Sequence, residues 1–183
     1  CALPIYFMQK ALGSRVHLDD TTNKYAVEFN SYVNDLMEYD MVKELDNFEQ
    51  HFRTSRLQHS INVVYYSYRI GSVIGANPQQ SARAGLLHDL FHYDWHTDET
   101  PELHAFYHPK LALENAKNMV ELTPHEEDAI LKHMWPLYKG MPKYKESIAV
   151  TLADKYAATL EVCYQWGSYF ANKVVKVFAF GNN

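Results

Sequence analysis

The chain has 183 residues, of which 47% are hydrophobic and 21% charged, with a net charge of −5. That is the length of one domain, or of one domain with an extension, and it buries a core without a disulfide scaffold; the composition excludes a disordered polar chain. The acidic balance argues against non-specific nucleic-acid binding and against coating of an anionic membrane, and the two cysteines, Cys1 and Cys163, point to a reduced, cytoplasmic setting.

Residue 1 is Cys rather than Met, which reads as a processed or truncated start. A mature lipoprotein would begin the same way, but residues 2–7 offer no polar tether. No apolar run approaches the roughly 20 residues needed to span a bilayer. After Thr21-Thr22, the residues Tyr25, Phe29, Tyr32, Val33 and Leu36 recur at three and four, the spacing of one helix face. A short helix is expected over 41–48. No Asn-Gly or Asp-Gly hairpin signal separates alternating runs.

The stretch 57–74 is apolar nearly all round, which marks a central buried helix. Asn77-Pro78 breaks it, and a further helix is expected over about 79–91, where Ala82, Ala84 and Gly85 allow close approach to a neighbour. Residues 92–107 show no period and read as a loop. Pro109 is expected at the first position of the next helix, where its missing N–H costs little. Thr123-Pro124-His125-Glu126 is a capping box, and the helix it starts is expected to stop at Pro136. A last helix is expected over 146–163, in which Cys163 reads as a small core residue. Residues 174–180 are apolar and suit either a strand or a helix. The expected class is all-α: 1–49 as an N-terminal segment whose helices pack on the core, 50–165 as the helical core, 166–183 as a C-terminal extension.

Ten histidines are more than packing needs. Three of the expected helices carry metal-type ligands in apolar surroundings. His88 and Asp89 are adjacent after a buried run. Neighbouring helical residues point about 100° apart, so both reach one ion only if it lies at the helix end or flank. His59 sits in the central helix, with Arg56 on the same face. Asp154 interrupts an apolar helix, and a carboxylate buried there needs compensation that a divalent cation supplies. His133 ends the capped helix beside Trp135. His108 precedes Pro109; His104 lies four residues earlier and would share its face in a helix. His17, His51 and His125 read as surface residues. Asp94, Trp95 and His96 either close a pocket or pack a loop.

The ordered set His59, His88-Asp89, His108, His133, Asp154, with gaps of 29, 20, 25 and 21 residues, resembles the HD-domain superfamily of metal-dependent phosphohydrolases. It is most similar to the six-ligand members with two metals. The similarity covers residues 50–165, and the stretches 88–95 and 133–136 look like an uncharacterised bacterial branch. The resemblance implies a single HD-type helical bundle. In it His59, His88, Asp89 and Asp154 hold one metal, and Asp89 bridges to a second held by His108 and His133. The donor set suits Fe, Mn, Zn or Ni.

Two ions sharing a water lower its pKa and present hydroxide to phosphorus. The implied function is therefore hydrolysis of a phosphoester of a nucleotide or related small metabolite. Arg56, Lys110 and Lys155 adjoin ligands in sequence and are candidate phosphate contacts. Trp135 and Tyr138 would stack a base or pack the rim. Many superfamily members carry Lys three residues after the Asp of the pair. Here that residue is His92, a candidate general acid or phosphate donor beside the catalytic Asp89. Two other readings share the ligands: a di-iron oxygenase, and a non-catalytic nucleotide-binding regulatory module. Fourteen tyrosines fit a homodimer. No basic stripe marks a nucleic-acid partner.

Overall fold

The computed structural model describes residues 10–51 and 54–180, with side chains up to residue 167 except that of residue 51. Cys1 and residues 2–7 lie outside the described residues. Seven α-helices and one small sheet make up the described chain, so the all-α class expected from the periodicity holds.

Helix α1 (Lys24–Met37) starts at Asn23, whose side chain accepts from the Tyr25 N–H, and it buries Ala26, Phe29, Val33, Leu36 and Met37. Tyr25, expected on the inner face, is 39% exposed. The buried stripe starts one residue on, at Ala26, and leaves Tyr25 at its edge. The short helix expected over 41–48 is split into α2 (Asp40–Lys43) and a 3₁₀ turn (Glu44–Asn47).

A hairpin that carries no turn signature follows. Strand β1 (Glu49–His51) pairs antiparallel with β2 (Thr54–Ser55), in register Glu49↔Ser55 and His51↔Thr54. The ladder is closed by the Arg56 N–H donating to the Phe48 carbonyl at 2.8 Å. Strands of three and two residues are too short for alternation to reveal. Ser55 ends β2 and caps the next helix, accepting from the Gln58 N–H.

Helix α3 (Arg56–Ile74) is the central helix, with both apolar and polar side chains buried on several faces. Gly75 ends it in the left-handed conformation, φ 71°, donating to the Gly71 carbonyl. Helix α4 (Pro78–Leu87) opens with Pro at N1 behind an Asn77 cap and packs on α3. A Cβ on Gly85 would lie 3.2 Å from the Val64 Cα and 3.0 Å from the Ser67 Oγ, so the close approach expected there is real.

Helix α4 ends at Leu87 rather than near Phe91. The carbonyls beyond it are taken by side chains: that of Leu90 accepts from Asn115 and that of Phe91 from Arg56. The backbone turns away while Leu90 and Phe91 stay fully buried, and for this reason their apolar character prolongs the apparent helix.

Helix α5 (His104–Met119) begins five residues earlier than Pro109 implied and carries that proline inside. The loop is correspondingly 92–103. The first turn before Pro109 is held by the His108 Nδ1 donating to the His104 carbonyl at 2.7 Å. Helix α6 (Pro124–Lys132) has both halves of the Thr123/Glu126 capping box.

Helix α7 (Lys145–Phe180) packs against α3, α4 and α6 and continues past residue 163 without a break, so the 174–180 stretch is helical. Cys163 is exposed, not core. It lies two residues after the buried Glu161, about 200° around the helix from it. Among the described residues no helix is long and apolar enough to cross a membrane.

Candidate metal centre

Five elements converge at one end of α3: α3 itself, the turns that end α4 and α6, α5, and α7. Helix α3 contributes His59. His88 is the C-cap residue of α4 with Asp89 next to it, and His133 is the C-cap residue of α6. Helix α5 brings His108 and α7 brings Asp154. The adjacent His88 and Asp89, at the end of α4, both reach the cluster.

Two buried groups have the proximity of metal-ligand sets: His59, His88 and Asp89; and Asp89, His108 and His133. Asp154 joins the first, with Oδ1 3.2 Å from His59 Nε2 and 3.9 Å from His88 Nε2. Asp89 belongs to both. Its Oδ2 is 3.5 Å from His88 Nε2, and its Oδ1 is 3.4 Å from His108 Nε2 and 3.6 Å from His133 Nε2. All six expected ligands are therefore brought together. His108, not His104, faces the second group; the His104 ring stacks behind it with centroids 4.3 Å apart.

The donor chemistry fits a divalent cation. His88, His108 and His133 each place Nδ1 within 2.7–2.8 Å of a backbone carbonyl, those of Gly85, His104 and Ile130. A carbonyl only accepts, so each Nδ1 is protonated, and in a neutral ring Nε2 is then a bare lone pair. Burial first, then the neighbouring histidines, lower His133 to about 3. Burial also lowers His108. Both rings are thus neutral near pH 7, yet their Nε2 atoms are 2.8 Å apart. Two lone pairs at that separation repel unless a cation takes them. His88 Nε2 and Asp89 Oδ1 are buried without a hydrogen-bond partner, a cost that a cation between the groups removes.

Burial disfavours charge on His59, but its hydrogen bonds to Asp154 and Glu161 overcome that and raise it to about 10. Burial opposes ionisation of Asp154 too; the His59 bond and the His88 field hold it well below the usual carboxylate range. His88, then His108, His133 and His59, do so for Asp89 against its own burial.

The expected substrate contacts divide. Arg56 is fully buried, and each of its three nitrogens donates a hydrogen bond. Its Nε donates to Gln50 Oε1 at 2.8 Å, and its Nη atoms donate to the Phe91 and Tyr93 carbonyls at 2.7 and 3.2 Å. The guanidinium stacks 3.6 Å over the Phe91 ring. It is a structural clamp rather than a phosphate contact. His92 Nε2 donates to the Met41 carbonyl at 2.7 Å, which ties that nitrogen to the backbone. Lys110 is exposed and grips both carboxylate oxygens of Glu102 at 2.8 Å; two residues from His108 on α5, it lies on the opposite side of that helix.

Lys155 alone of the three expected cations sits at the cluster with exposed surface. Its Nζ reaches the His133 carbonyl at 2.9 Å and Asp154 Oδ2 at 3.3 Å. Trp135 is 38% exposed just past the end of α6. In the 92–103 loop, Trp95 stacks on His104, while Asp94 and His96 form an exposed turn. His17 is exposed, and His125 is partly covered by stacking on Tyr144.

Three further residues reach the cluster. Gln50 of β1 donates from Nε2 to Asp89 Oδ2 and is itself held by Arg56. Glu161 and Asn62 lie behind His59. Glu161 follows Asp154 by two helical turns on one face, and Asn62 follows His59 by three residues; that spacing was the available signal for both. Gln50 had none.

A helical core with a buried cluster of four histidines and two aspartates that could hold a metal ion is the arrangement of an α-helical metal-site domain. The HD domain family matches residues 56–159, and the chain belongs to that family. Over 50 residues it is 38% identical to the Bacillus subtilis (strain 168) protein named "Putative phosphohydrolase YueE". That stretch is 27% of this chain and 28% of the relative, so the chain spans just over a quarter of that protein's length. No solved structure matches the chain at a significant level.

Proposed function

We propose that the protein is a metal-dependent phosphohydrolase acting on a phosphoester of a nucleotide or related small metabolite. The observation that carries the reading is the convergence of imidazole nitrogens and carboxylate oxygens in two groups joined by Asp89. The name of the B. subtilis relative and the HD domain match support the same reaction class.

His59, His88, Asp89 and Asp154 would hold one divalent ion, and Asp89, His108 and His133 a second. Bound there, such ions lower the pKa of a water and take up charge on phosphoryl oxygens. The chain's own contribution is placement. Gln50 pins Asp89 Oδ2 from behind, so Oδ1 faces His108 and His133. Lys155 offers an ammonium at the rim for a phosphoryl oxygen that the buried Arg56 cannot reach. Trp135, part-exposed two residues after His133, would cover an attached base.

The test is elemental analysis of the purified protein followed by an anaerobic phosphoester panel. Phosphate release without dioxygen is the expected result. Turnover that appears only with iron and dioxygen would replace the reading with an oxygenase. Bound metal with no phosphoester turnover across the panel would leave a binding module. Asp89→Ala removes the residue common to both groups. It is expected to cut phosphate release by at least about 10³-fold and to lower metal content together; unchanged turnover overturns its bridging role.

A further inference from the structure

The four histidines of the cluster are not equivalent. Behind the Nδ1 of His88, His108 and His133 stands a neutral backbone carbonyl. Behind the Nδ1 of His59 stands the carboxylate of Glu161, at 3.0 and 3.1 Å to its two oxygens. Glu161 is 1% exposed and comes from α7, two turns beyond Asp154.

Its orientation is itself enforced. Asn62 Nδ2 donates to Glu161 Oε1 at 2.8 Å. The Asn62 amide cannot flip, because its oxygen accepts from the Leu12 N–H and from Gln58 Nε2, both at 2.9 Å. Two donors fix which end of the amide is oxygen. The chain Leu12–Asn62–Glu161–His59 thus runs from the N-terminal segment to the cluster.

A carboxylate behind a ligating imidazole fixes its tautomer and ring angle and raises its basicity more than a carbonyl does. The first group also has two carboxylates, Asp89 and Asp154, against one shared carboxylate in the second. From these features we infer that Glu161 is a positioning residue of the metal centre. It holds His59 with Nδ1 protonated and Nε2 aimed at the ion, and it makes the His59 group load first and more tightly than the His108–His133 group. The inference rests on the metal reading above.

The test is a Co²⁺ titration of the metal-stripped full chain, followed by visible absorption and by ¹⁵N resonances of the histidine rings. Wild type is expected to fill in two steps. Glu161→Gln, isosteric but uncharged, is expected to weaken the first step by about 10–100-fold while leaving the second step and the far-ultraviolet circular dichroism unchanged. Glu161→Asp keeps the charge and withdraws it by one methylene, and is expected to fall between the two.

A Gln variant that loads its first Co²⁺ like wild type overturns the role of Glu161. So does one that weakens both steps alike, which marks a merely structural residue. Should the Gln variant not fold, an unaltered first step in Glu161→Asp overturns it instead. Two equal wild-type steps overturn the order of loading. A wild type that takes up no Co²⁺ overturns the metal reading itself, a result distinct from all the others.

Discussion

Arg56 shows how a residue can be recognised as part of a site and assigned the wrong work. Its position three residues before His59 placed it correctly beside the cluster. Nothing local reveals that its donors are already committed, because the partners are the Phe91 and Tyr93 carbonyls, 35 and 37 residues away. Burial lowers its pKa to about 10, which still leaves it charged at neutral pH. A charge held that deep by three hydrogen bonds contributes to the fold through geometry that Lys cannot reproduce. Arg56→Lys keeps the charge, supplies at most one of the three directed contacts and forfeits the stacking on Phe91. It is expected to cost about 2–4 kcal/mol in urea unfolding, since buried acceptors are left unmet. Wild-type stability with a raised KM would instead return Arg56 to substrate binding. The six residues of the cluster were legible for the opposite reason. A His or Asp in an apolar helix is conspicuous without knowledge of its partners, whereas Gln50 and Glu161 act through contacts 39 and 102 residues distant.

At the scale of elements, what was legible is what is local. The Thr123/Glu126 box and the Asn77-Pro78 start carry their own hydrogen-bond partners within four residues and were read correctly. The β1–β2 hairpin, the early start of α5 and the end of α4 depend on tertiary contacts, and each departed from the periodic pattern. The docking of α1 onto α3 is likewise tertiary. Glu28 of α1 accepts from the Tyr68 hydroxyl of α3 and from Tyr32 of its own helix, both at 2.7 Å. The Tyr68 bond, then the Tyr32 bond, lower the Glu28 pKa from its ordinary 4.5. A depressed carboxyl stabilises the fold above its unfolded pKa, and that contribution is lost as pH falls through the folded value. Glu28→Gln is therefore expected to cost about 1 kcal/mol near neutral pH. The gap between variant and wild type should narrow as pH falls below 4.5, as read by denaturant unfolding at several pH values. A gap independent of pH would show that the ionised carboxylate is not what ties α1 to α3.

For the whole molecule, the cluster is where distant parts of the chain are joined. Its residues come from α3, the ends of α4 and α6, α5 and α7, and the His59–Asp154 contact alone spans 95 residues. The apolar core packs the same helices together, but at the cluster the packing brings bare nitrogen lone pairs and ionised carboxylates face to face. Without a cation the facing His108 and His133 nitrogens and the unpartnered His88 Nε2 and Asp89 Oδ1 oppose folding, while the His59–Asp154 and His59–Glu161 contacts support it; a bound cation would remove the opposition. An ion that binds the native state and not the unfolded chain adds RT ln(1 + [L]/Kd), about 2.7 kcal/mol at a hundredfold excess over Kd. For a chain of 183 residues this corresponds to roughly 5–10 °C in Tm. Stripping the protein with a chelator is expected to lower Tm by that amount, and adding back Mn²⁺, Zn²⁺ or Fe²⁺ to restore it. Asp89→Asn should respond to neither treatment, because it removes the carboxylate that both ligand groups share. Calorimetry decides the matter: a wild-type Tm that ignores chelator and metal alike would mean that these helices are joined by packing alone, and that the converging nitrogens hold no ion.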